Sequence, residues 1–599
     1  MDENQRNLFL TIALSILILV GWQVFFMQPR IDAERERLRV EQELQQQQQN
    51  PAGTPQGFQT PGVAAGTVPG SAPAGAAAVL TREEALKQFA RVVIDTPKLS
   101  GSVNLKGGRI DDLRLKDYHE TVDKTSPLIE LLSPSGLPNG YFAEFGYTGI
   151  DAAPGDQTMW TAADGAKLTP STPLVLTHDA GNGVTFQRTI SVDDKYLFTI
   201  EDSIANAGSA PVSVSPWGRV TRFGKPATPS IWVLHEGMIG VTGEKGLTEI
   251  DYSEIEEAKR TEPGSSSDGW LGITDKYWAT ALIPQFGSFT PAYRYFDDGR
   301  PRYQADFLGD AIAVPAGGAA QVKSSLFAGA KVSSIIDGYE SAYNIRQFDL
   351  MIDWGWFYFL TKPLFVMIDW LFHLFGNFGV AILITTVIVK AVFFPLANMS
   401  YASMAKMKIV QPAMLKIKED YPDDRQKQQQ AMMELYKKEK INPVAGCWPV
   451  LLQIPVFFAL YKVIYVTIEM RHAPFFGWIQ DLSAPDPTSI FNLFGLLPYD
   501  VPHVLMIGVW PLLMGITMFL QMRMNPTPPD PTQAMIFTWM PVMFTFMMAT
   551  FPAGLIIYWA WNNFLSIIQQ AVIMKKQGAK IELWDNLKAM FQRKPKPAE

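Results

Sequence analysis

The apolar residues of this chain are gathered into a few long stretches, and this clustering constrains its fold more than any other feature. A helix needs about 20 predominantly apolar residues to cross a bilayer. Six stretches approach that length, five of them towards the C-terminus: 8–26, 376–395, 447–468, 503–522, 535–551 and 553–574. We therefore predict an α-helical membrane protein with a five-helix core, 376–575, and a transmembrane anchor within residues 1–29.

Composition excludes several classes of protein. Charged residues make up only 18% of the chain and hydrophobic residues 47%, which excludes disorder throughout and a purely soluble enzyme. The single cysteine, Cys447, excludes a disulfide framework and a four-cysteine metal site. Six histidines and a net charge of −7 argue against a His-rich metal centre and a nucleic-acid footprint over the whole chain. We expect no metal, no cofactor and no DNA partner.

Lysine and arginine predict the orientation in the membrane, since they accumulate in cytoplasmic loops. The loop 396–446 contains nine of them, and the C-terminal tail from Lys575 contains seven. The loop 469–502 contains only Arg471. We therefore place the 396–446 loop, the basic tail 576–599 and the N-terminus in the cytoplasm, and residues 27–375 outside.

The external part divides into a linker and a domain. Residues 30–79 are a low-complexity tether rich in Gln, Pro, Gly and Ala. Between 184 and 192 apolar residues alternate with polar ones, and Arg188 is the one exception on the apolar face. This period of two predicts a large β-sandwich over 80–345. No nucleophile elbow or phosphate loop occurs in it, which favours a binding or spacing domain over a carbohydrate-active enzyme.

Residues 346–375 end in an apolar stretch that polar residues interrupt. Lys362, Asp369 and His373 lie in it, and Pro363 would kink a helix there. Aromatic residues stand beside these polar groups. We predict an amphipathic helix in the outer interface of the membrane, and a true span is the alternative.

The 396–446 loop predicts a cytoplasmic helical hairpin, with a turn at Tyr421–Asp424. Methionines give it a narrow apolar stripe: Met404, Met407, Met414, Met432 and Met433. An ordinary solvated hairpin and a mobile surface that receives varied apolar segments both fit this pattern. The basic charge suits anionic lipid headgroups or ribosomal RNA.

Polar residues inside the core spans are candidates for function. Lys390 is the one charge in its span, and Thr386 lies four residues earlier on the same face. A central lysine costs about 2.5–3.5 kcal/mol on insertion, so both snorkelling to the interface and a functional position remain open. The last span carries a polar stripe, namely Asn562, Asn563, Ser566 and Gln569. This stripe either joins helices by hydrogen bonds or lines a wet cavity.

Three ordered motifs resemble those of the YidC/Oxa-type membrane insertase family. The first is the run 401–407 followed by Gln411-Pro412, which starts the hairpin. The second comprises Asn442-Pro443, Gly446-Cys447, Pro449, Gln453 and Pro455, and the third comprises Phe551-Pro552, Gly554, Leu555 and Tyr558. The N-terminal anchor and the large external domain resemble the Gram-negative form of that family.

The resemblance implies a non-enzymatic protein of the bacterial inner membrane with both termini in the cytoplasm. It implies that the protein inserts, folds and assembles inner-membrane proteins, alone or with the Sec translocon. Implied partners are nascent membrane proteins, the Sec translocon, lipids and the ribosome, the last through the basic hairpin and tail. The external domain resembles the periplasmic β-supersandwich of the family.

The resemblance also assigns roles to residues. It implies a hydrophilic groove, open to the cytoplasm, in which a cation at Lys390 attracts acidic substrate tails. The other implied groove residues are Thr386, Tyr558, Trp559, Asn562, Asn563, Ser566 and Gln569. The hairpin methionines would contact the substrate, whose apolar segment would slide into lipid along Phe457, Phe458, Ile536, Phe537 and Met540.

Other functions make different predictions. A secondary transporter or channel predicts solute flux and a polar path that reaches the outer face. A membrane-anchored carbohydrate enzyme predicts that residues 80–345 alone hold the activity. A scaffold for the secretory channel predicts that Lys390 can be neutralised without consequence.

Overall fold

The computed structural model describes residues 81–578, apart from 227–233, 245, 298, 423, 440, 442–447, 498, 500, 502–505 and 526–530. The predicted anchor 1–29, the linker 30–79 and most of the tail 576–599 lie outside the described residues. So do Asn442-Pro443 and Gly446-Cys447 of the second motif. The described chain forms a β-rich part followed by a helical part.

The β-rich part contains two sheets that share one hydrophobic core. An 11-stranded sheet and a 9-stranded sheet are built from the following strands: β1 Arg91–Asp95, β2 Leu99–Asn104, β3 Arg109–His119, β4 Leu128–Leu132, β5 Tyr141–Thr148, β6 Thr161–Ala162, β7 Lys167–Leu168, β8 Leu174–Asp179, β9 Val184–Val192, β10 Leu197–Asn206, β11 Val212–Phe223, β12 Gly237–Thr242, β13 Leu247–Asp251, β14 Arg260–Thr261, β15 Gly269–Thr274, β16 Trp278–Pro284, β17 Phe289–Asp297, β18 Pro301–Gly309, β19 Ile312–Val314 and β20 Ala319–Ala330.

The first sheet has the order β14-β17-β18-β11-β5-β3-β2-β1-β7, with β19 beside β11 and β4 beside β3. The second has the order β13-β12-β15-β16-β20-β10-β9-β8-β6. Neighbouring strands are antiparallel, except β1 and β7. The sequence prediction of a β-rich domain before the helical region is confirmed.

Strand β9 shows why the alternation in the sequence specifies this fold. Its even-numbered residues from 184 to 192 are buried, and its odd-numbered residues are exposed or half-buried. Arg188, the exception on the apolar face, is buried because Asp202 of β10 accepts two hydrogen bonds from its guanidinium, each 2.8 Å long. The Arg188 Nη1 also donates to the Phe145 carbonyl at 3.0 Å, and the Tyr147 hydroxyl donates to Asp202 at 2.9 Å. Since Phe145 and Tyr147 lie on β5, this charged cluster joins the two sheets.

We expect Arg188→Ala to destabilise the β domain by about 3–5 kcal/mol, since it leaves the Asp202 carboxylate buried without its cation. Native-state hydrogen exchange of the β9 and β10 amides in the full-length protein measures this change. Replacing both partners, with Arg188→Met and Asp202→Leu together, should cost less than Arg188→Ala alone. An equal or larger cost for the pair would contradict this account.

The helices follow the pattern of apolar stretches. Two short ones lie in the β-rich part, α1 Arg82–Lys87 and α2 Tyr252–Ala258. The others follow β20: α3 Ser333–Tyr343, α4 Tyr358–Phe375, α5 Phe378–Val392, α6 Phe394–Ile409, α7 Gln411–Asp420, α8 Arg425–Lys438, α9 Trp448–Val466, α10 Val509–Met524, α11 Pro531–Met548 and α12 Ala553–Lys576. Short 3₁₀ turns occur at Phe348–Met351, Ile468–Met470 and Leu493–Gly495.

Length and hydropathy alone single out α4 as a helix able to cross a membrane, among the described residues. Helices α5 and α6 are long and apolar enough to cross a membrane only when they are taken together as one span, and the chain bends by 70° where they meet. Pro363 lies inside α4 without ending it. Lys362, which interrupts the apolar pattern, forms ion pairs with Asp337 at 3.1 Å and Asp349 at 2.8 Å. These pairs hold α4 against the end of the β domain.

Helix α10 begins at Val509, later than the predicted span start at 503. The preceding Gly508 is extended, and buried Asp486 lies close against it. Asp486 accepts a hydrogen bond from the Trp510 amide at 2.9 Å, and Thr488 accepts one from the Val509 amide at 3.1 Å. The helix therefore starts where the loop between α9 and α10 supplies acceptors for its first amides.

A buried carboxyl group lies where α3 meets the turn after α9. Glu469 accepts a hydrogen bond from the Ser333 amide at 2.9 Å, and its other oxygen is buried without a hydrogen-bond partner among the described residues. Burial, with smaller contributions from Asp369 and Asp337, raises the pKa of the Glu469 carboxyl to about 7. The amide donor opposes this shift.

We expect this site to make the protein less stable as the pH rises. A carboxyl group with a raised pKa in the folded state contributes stability fully below its unfolded pKa, and loses it as the pH rises through the folded value, here from about 4.5 to about 7. Thermal unfolding of wild type and Glu469→Gln between pH 5 and pH 8 tests this. The variant should gain stability relative to wild type as the pH rises, and a constant difference would contradict the assignment.

Candidate functional site

A cavity of about 650 Å³ lies among α5, α6, α9, α10, α11 and α12. One part of its lining is polar and the other is apolar. The polar side chains are Lys390, Tyr401, Gln453, Gln521, Asn525, Tyr558, Asn562, Asn563, Ser566 and Gln569. The apolar and aromatic ones include Phe457, Phe458, Met518, Met522, Phe537, Met540, Phe544 and Trp559.

The Lys390 ammonium group lies inside this cavity. It donates a hydrogen bond to the Ser566 hydroxyl at 2.8 Å, and Ser566 in turn donates to the Asn562 carbonyl at 2.8 Å. Lys390 is in the last turn of α5, which ends at Val392 and bends at Phe393 into α6. Because α12 supplies an acceptor, the side chain crosses to the neighbouring helix instead of extending along its own.

The polar stripe of α12 has both of the properties that its sequence left open. Asn563 donates to Thr517 at 3.5 Å, and Gln570 donates to Asn525 at 2.9 Å, so this face joins α12 to α10. Asn563 also lines the cavity, as do Asn562, Ser566 and Gln569. One helix therefore supplies both interhelical hydrogen bonds and a polar lining, and Asn563 takes part in both.

Aromatic side chains pack tightly beside the polar lining. The Trp559 ring lies 4.8 Å from Phe457 and 5.7 Å from Phe544, measured between ring centroids. Phe457 also approaches Tyr461 at 6.5 Å, and Tyr461 lies 5.9 Å from Phe551. This aromatic cluster connects α9, α11 and α12, and its members Phe457, Phe544 and Trp559 belong to the cavity lining.

Tyr558 stands between the polar and aromatic parts. It is buried at 2% exposure, and its hydroxyl accepts a hydrogen bond from the Gln453 amide of α9. The neighbouring Trp559 contributes its ring to the aromatic cluster. The two adjacent residues therefore contribute differently to the cavity lining: Tyr558 forms a hydrogen bond, and Trp559 forms ring contacts.

Two predicted residues lie outside the lining. The prediction was wrong for Thr386: it is 2% exposed, and its hydroxyl donates to the Ile382 carbonyl of its own helix at 2.7 Å. A threonine in a helix satisfies its hydroxyl in this way without any cavity. Ile536 lies on α11 outside the cavity lining, and the residue is 54% exposed. Phe457, Phe458, Phe537 and Met540 are in the lining.

The hairpin consists of α6 and α7 as one arm and α8 as the other. Asp424 begins α8 by accepting a hydrogen bond from the Lys427 amide at 3.0 Å, as the turn predicts. The methionines differ in exposure: Met433 is 50% exposed, and the other four, Met404, Met407, Met414 and Met432, are half-buried. The Met-rich surface stays a prediction.

Sequence reasoning did not assign four polar lining residues: Tyr401, Gln453, Gln521 and Asn525. Tyr401 and Gln453 lie in the family motifs, so the motifs could have identified both as candidate lining residues. Gln521 and Asn525 are spaced by four residues at the end of an apolar helix, which places them on one face. The four-residue spacing could therefore have identified Gln521 and Asn525 as one polar face.

Gly515 allows α10 and α11 to approach each other closely. A Cβ atom at this position would collide with the Thr545 hydroxyl, which donates to the Pro541 carbonyl at 2.8 Å. Met514, beside it, packs with Met548 in a small buried cluster. Small residues permit such close helix packing in membrane proteins.

We therefore expect Gly515→Ala to lower the thermal stability of the purified protein, because the added methyl group separates α10 from α11. Adding Thr545→Ala removes the hydroxyl that it meets and should restore part of the loss. The melting temperatures of both single variants and the double variant measure this coupling. Additive effects would contradict the contact.

The described residues contain no group of three or more His, Cys, Asp or Glu side chains that could hold a metal ion. The cavity instead combines one cation, amides, hydroxyls and an apolar wall.

Comparison with known proteins decides the family. A model of the YidC periplasmic domain matches residues 91–367, and a model of the 60Kd inner membrane protein matches residues 370–580. A protein of Mesorhizobium japonicum named membrane protein insertase YidC is 63% identical over 602 residues, with 100% of both chains covered. The chain belongs to the YidC membrane insertase family. Its predicted resemblance to that family is confirmed.

Other YidC relatives agree over the same length. The proteins of Rhizobium meliloti and Brucella suis with the same name are each 61% identical, again with 100% of both chains covered. A crystal structure described as an active YidC insertase with its first transmembrane domain resolved is 18% identical and covers 81% of this chain and 92% of its own. Its TM-score is 0.33, so membership rests on the sequence relatives.

Proposed function

We propose that this protein inserts, folds and assembles proteins of the bacterial inner membrane, alone or with the Sec translocon. The observation that carries the proposal is the Lys390 ammonium inside a partly polar cavity between apolar helices. The names of its full-length relatives support the same role. The cavity is the groove that receives a polar substrate tail.

The groove acts by lowering a desolvation cost. A polar tail that crosses hydrocarbon loses its hydrogen bonds to water, which costs several kcal/mol for each unsatisfied group. Asn562, Gln569 and Tyr401 offer partners along part of that path. Lys390 adds a positive charge that attracts an acidic tail, and Ser566 holds this charge in the groove.

The apolar part of a substrate follows the apolar side of the groove. Phe457 and Phe458 on α9 and Phe537 and Met540 on α11 form that side. An emerging transmembrane segment exchanges water for these side chains and then for lipid, which hydrophobic burial favours. No covalent step and no nucleotide is required.

The remaining regions receive roles from the predicted topology. The core helices span the membrane, the hairpin faces the cytoplasm, and the β domain is periplasmic. The hairpin makes first contact with nascent chains, and its basic residues and the basic tail dock the ribosome. Helix α4 lies in the outer interface, and two of its exposed aromatic residues, Phe359 and Trp370, are 74% and 63% exposed.

The aromatic cluster favours this function over a channel. Phe457, Trp559 and Phe544 pack at 4.8 and 5.7 Å beside the polar lining. A conducting path would need polar groups along its full length. The groove is therefore proposed to be closed towards the outside, and solute flux is not expected.

The test is insertion of a short single-span substrate with an acidic N-terminal tail, in cells depleted of their own insertase. Protease accessibility of the tail reports insertion by wild type, Lys390→Arg, Lys390→Ala and Lys390→Glu. Lys390→Arg should support insertion. Insertion should fall about tenfold or more with Ala or Glu, since a charge-assisted hydrogen bond contributes about 1.5–3 kcal/mol.

A substrate with its tail carboxylates replaced by amides is the matched control, and its insertion should be equal for all four proteins. Normal insertion of the acidic tail by Lys390→Ala and Lys390→Glu would remove the electrostatic step. If wild type inserted nothing while a Sec-dependent control was inserted, the insertase proposal itself would fail.

A further inference from the structure

The outer end of α9 is tied to the β domain by an ion pair. The Lys462 ammonium lies 2.6 Å from Oδ2 of Asp353, which belongs to the segment between α3 and α4. Both side chains are largely buried, at 13% and 14% exposure. Lys462 lies four residues before the end of α9 at Val466, and a lysine this close to a helix end could extend its ammonium group to a membrane interface. The structure pairs it inside the protein instead.

Asp353 is itself held in place by the backbone around it. Its Oδ2 accepts a hydrogen bond from the His235 amide at 3.0 Å, and its Oδ1 accepts one from the Gly355 amide at 3.1 Å. His235 lies two residues before the start of β12, and its Nδ1 lies 2.9 Å from Oδ1 of Asp251 in β13. The ion pair therefore connects α9 to an edge of the 9-stranded sheet.

Gly355 makes room for the lysine. Its φ of +72° is unfavourable for residues with a side chain, and a Cβ atom there would lie 2.8 Å from Cε of Lys462. The local backbone is thus shaped around the Lys462 side chain.

Further contacts reach the chain at and beyond the end of α9 from other parts of the β domain. The Lys276 ammonium lies 3.5 Å from the centre of the Tyr465 ring. Arg471 donates to the His119 carbonyl at 2.7 Å, and its guanidinium stands over the Trp278 ring at 5.3 Å. Together with the hydrogen bond between Glu469 and Ser333, these contacts fix the outer end of α9 from several directions.

The same helix carries one wall of the groove. Gln453, Phe457 and Phe458 line the cavity, and Phe457 is little more than one helical turn from Lys462. A rotation or tilt of the outer end of α9 would therefore move the apolar wall relative to α12. The spacing of the groove depends on how firmly that end is held.

We propose that Asp353 and Lys462 are positioning residues, through which the β domain holds α9 at the spacing from α12 that insertion requires. This inference rests on the proposed insertase function and assigns the β domain a part in it. Neither residue is proposed to touch the substrate. Their effect reaches the groove through the placement of α9.

Two measurements test the proposal on the full-length protein in lipid nanodiscs and in depleted cells. The first is the distance between spin labels at Ile454 on α9 and Ile568 on α12, after replacing the chain's single cysteine by Cys447→Ser. Both positions are exposed, at 44% and 46%. The second is insertion of the acidic-tail substrate by unlabelled protein.

Each measurement is made on Lys462→Met, Asp353→Asn, the double variant and Lys462→Arg. Methionine keeps much of the apolar side chain without the charge, and asparagine keeps an acceptor for the Gly355 amide. We expect each single neutral variant to broaden or shift the distance distribution and to lower insertion several-fold. The double variant should be no worse than either single one, and Lys462→Arg should resemble wild type.

Unchanged distances and unchanged insertion in both single variants would overturn the proposal. So would additive losses in the double variant, or lower insertion at an unchanged distance. If a variant at 353 or 462 fails to accumulate, Gly355→Ala tests the same contact by displacing Lys462, with the same expected shift in distance. If the wild type inserted nothing, the proposed function would be refuted. The distance measurement would still test whether the ion pair sets the spacing between α9 and α12.

Discussion

Polar groups that leave water must find partners, and the structure of the helical part depends on this constraint. Lys390 satisfies it by reaching across to Ser566 of α12, and Asn563 satisfies it by bonding to α10. These contacts bring α5, α10 and α12 around one space and turn its polar side inward. The cavity is therefore a consequence of where charged and amide side chains can lie in an apolar bundle. In the proposed function, the Lys390 cation attracts an acidic segment of the substrate.

The β domain and its junction with the helices obey the same constraint with different partners. Arg188 is buried because Asp202 and the Phe145 carbonyl accept its hydrogen bonds, and the cluster joins the two sheets. Lys462 is buried because Asp353 accepts its charge, and this pair joins the β domain to α9. Buried ion pairs contribute little net stability but are costly to break, so they specify which surfaces meet. In the proposed function, this junction lets the β domain influence the position of the groove wall that α9 carries.

Much of this arrangement was predictable because local patterns report which face of an element is buried. The alternation from 184 to 192 predicted β9, and the spacing of Asn562, Ser566 and Gln569 predicted one polar face of α12. The prediction that Thr386 lines the cavity was wrong. Thr386 lies on the same helix face as Lys390, but its hydroxyl bonds to the Ile382 carbonyl of its own helix, and the helix face alone does not specify how far along α5 the cavity extends. The start of α10 was also misplaced, since its first amides are satisfied by Asp486 and Thr488 from a loop distant in sequence.

The sequence by itself determined the division into a β-rich part and apolar helices, the family and the one charge in the first core span. These properties follow from periodicity, composition and motifs, which are local along the chain. Only the tertiary structure decided that Lys390 turns into a cavity, that Lys462 is paired with Asp353, and that Gln453 meets Tyr558. The physical reason is that a buried polar group is stabilised by whichever partner lies beside it, and that partner is set by the packing of distant segments.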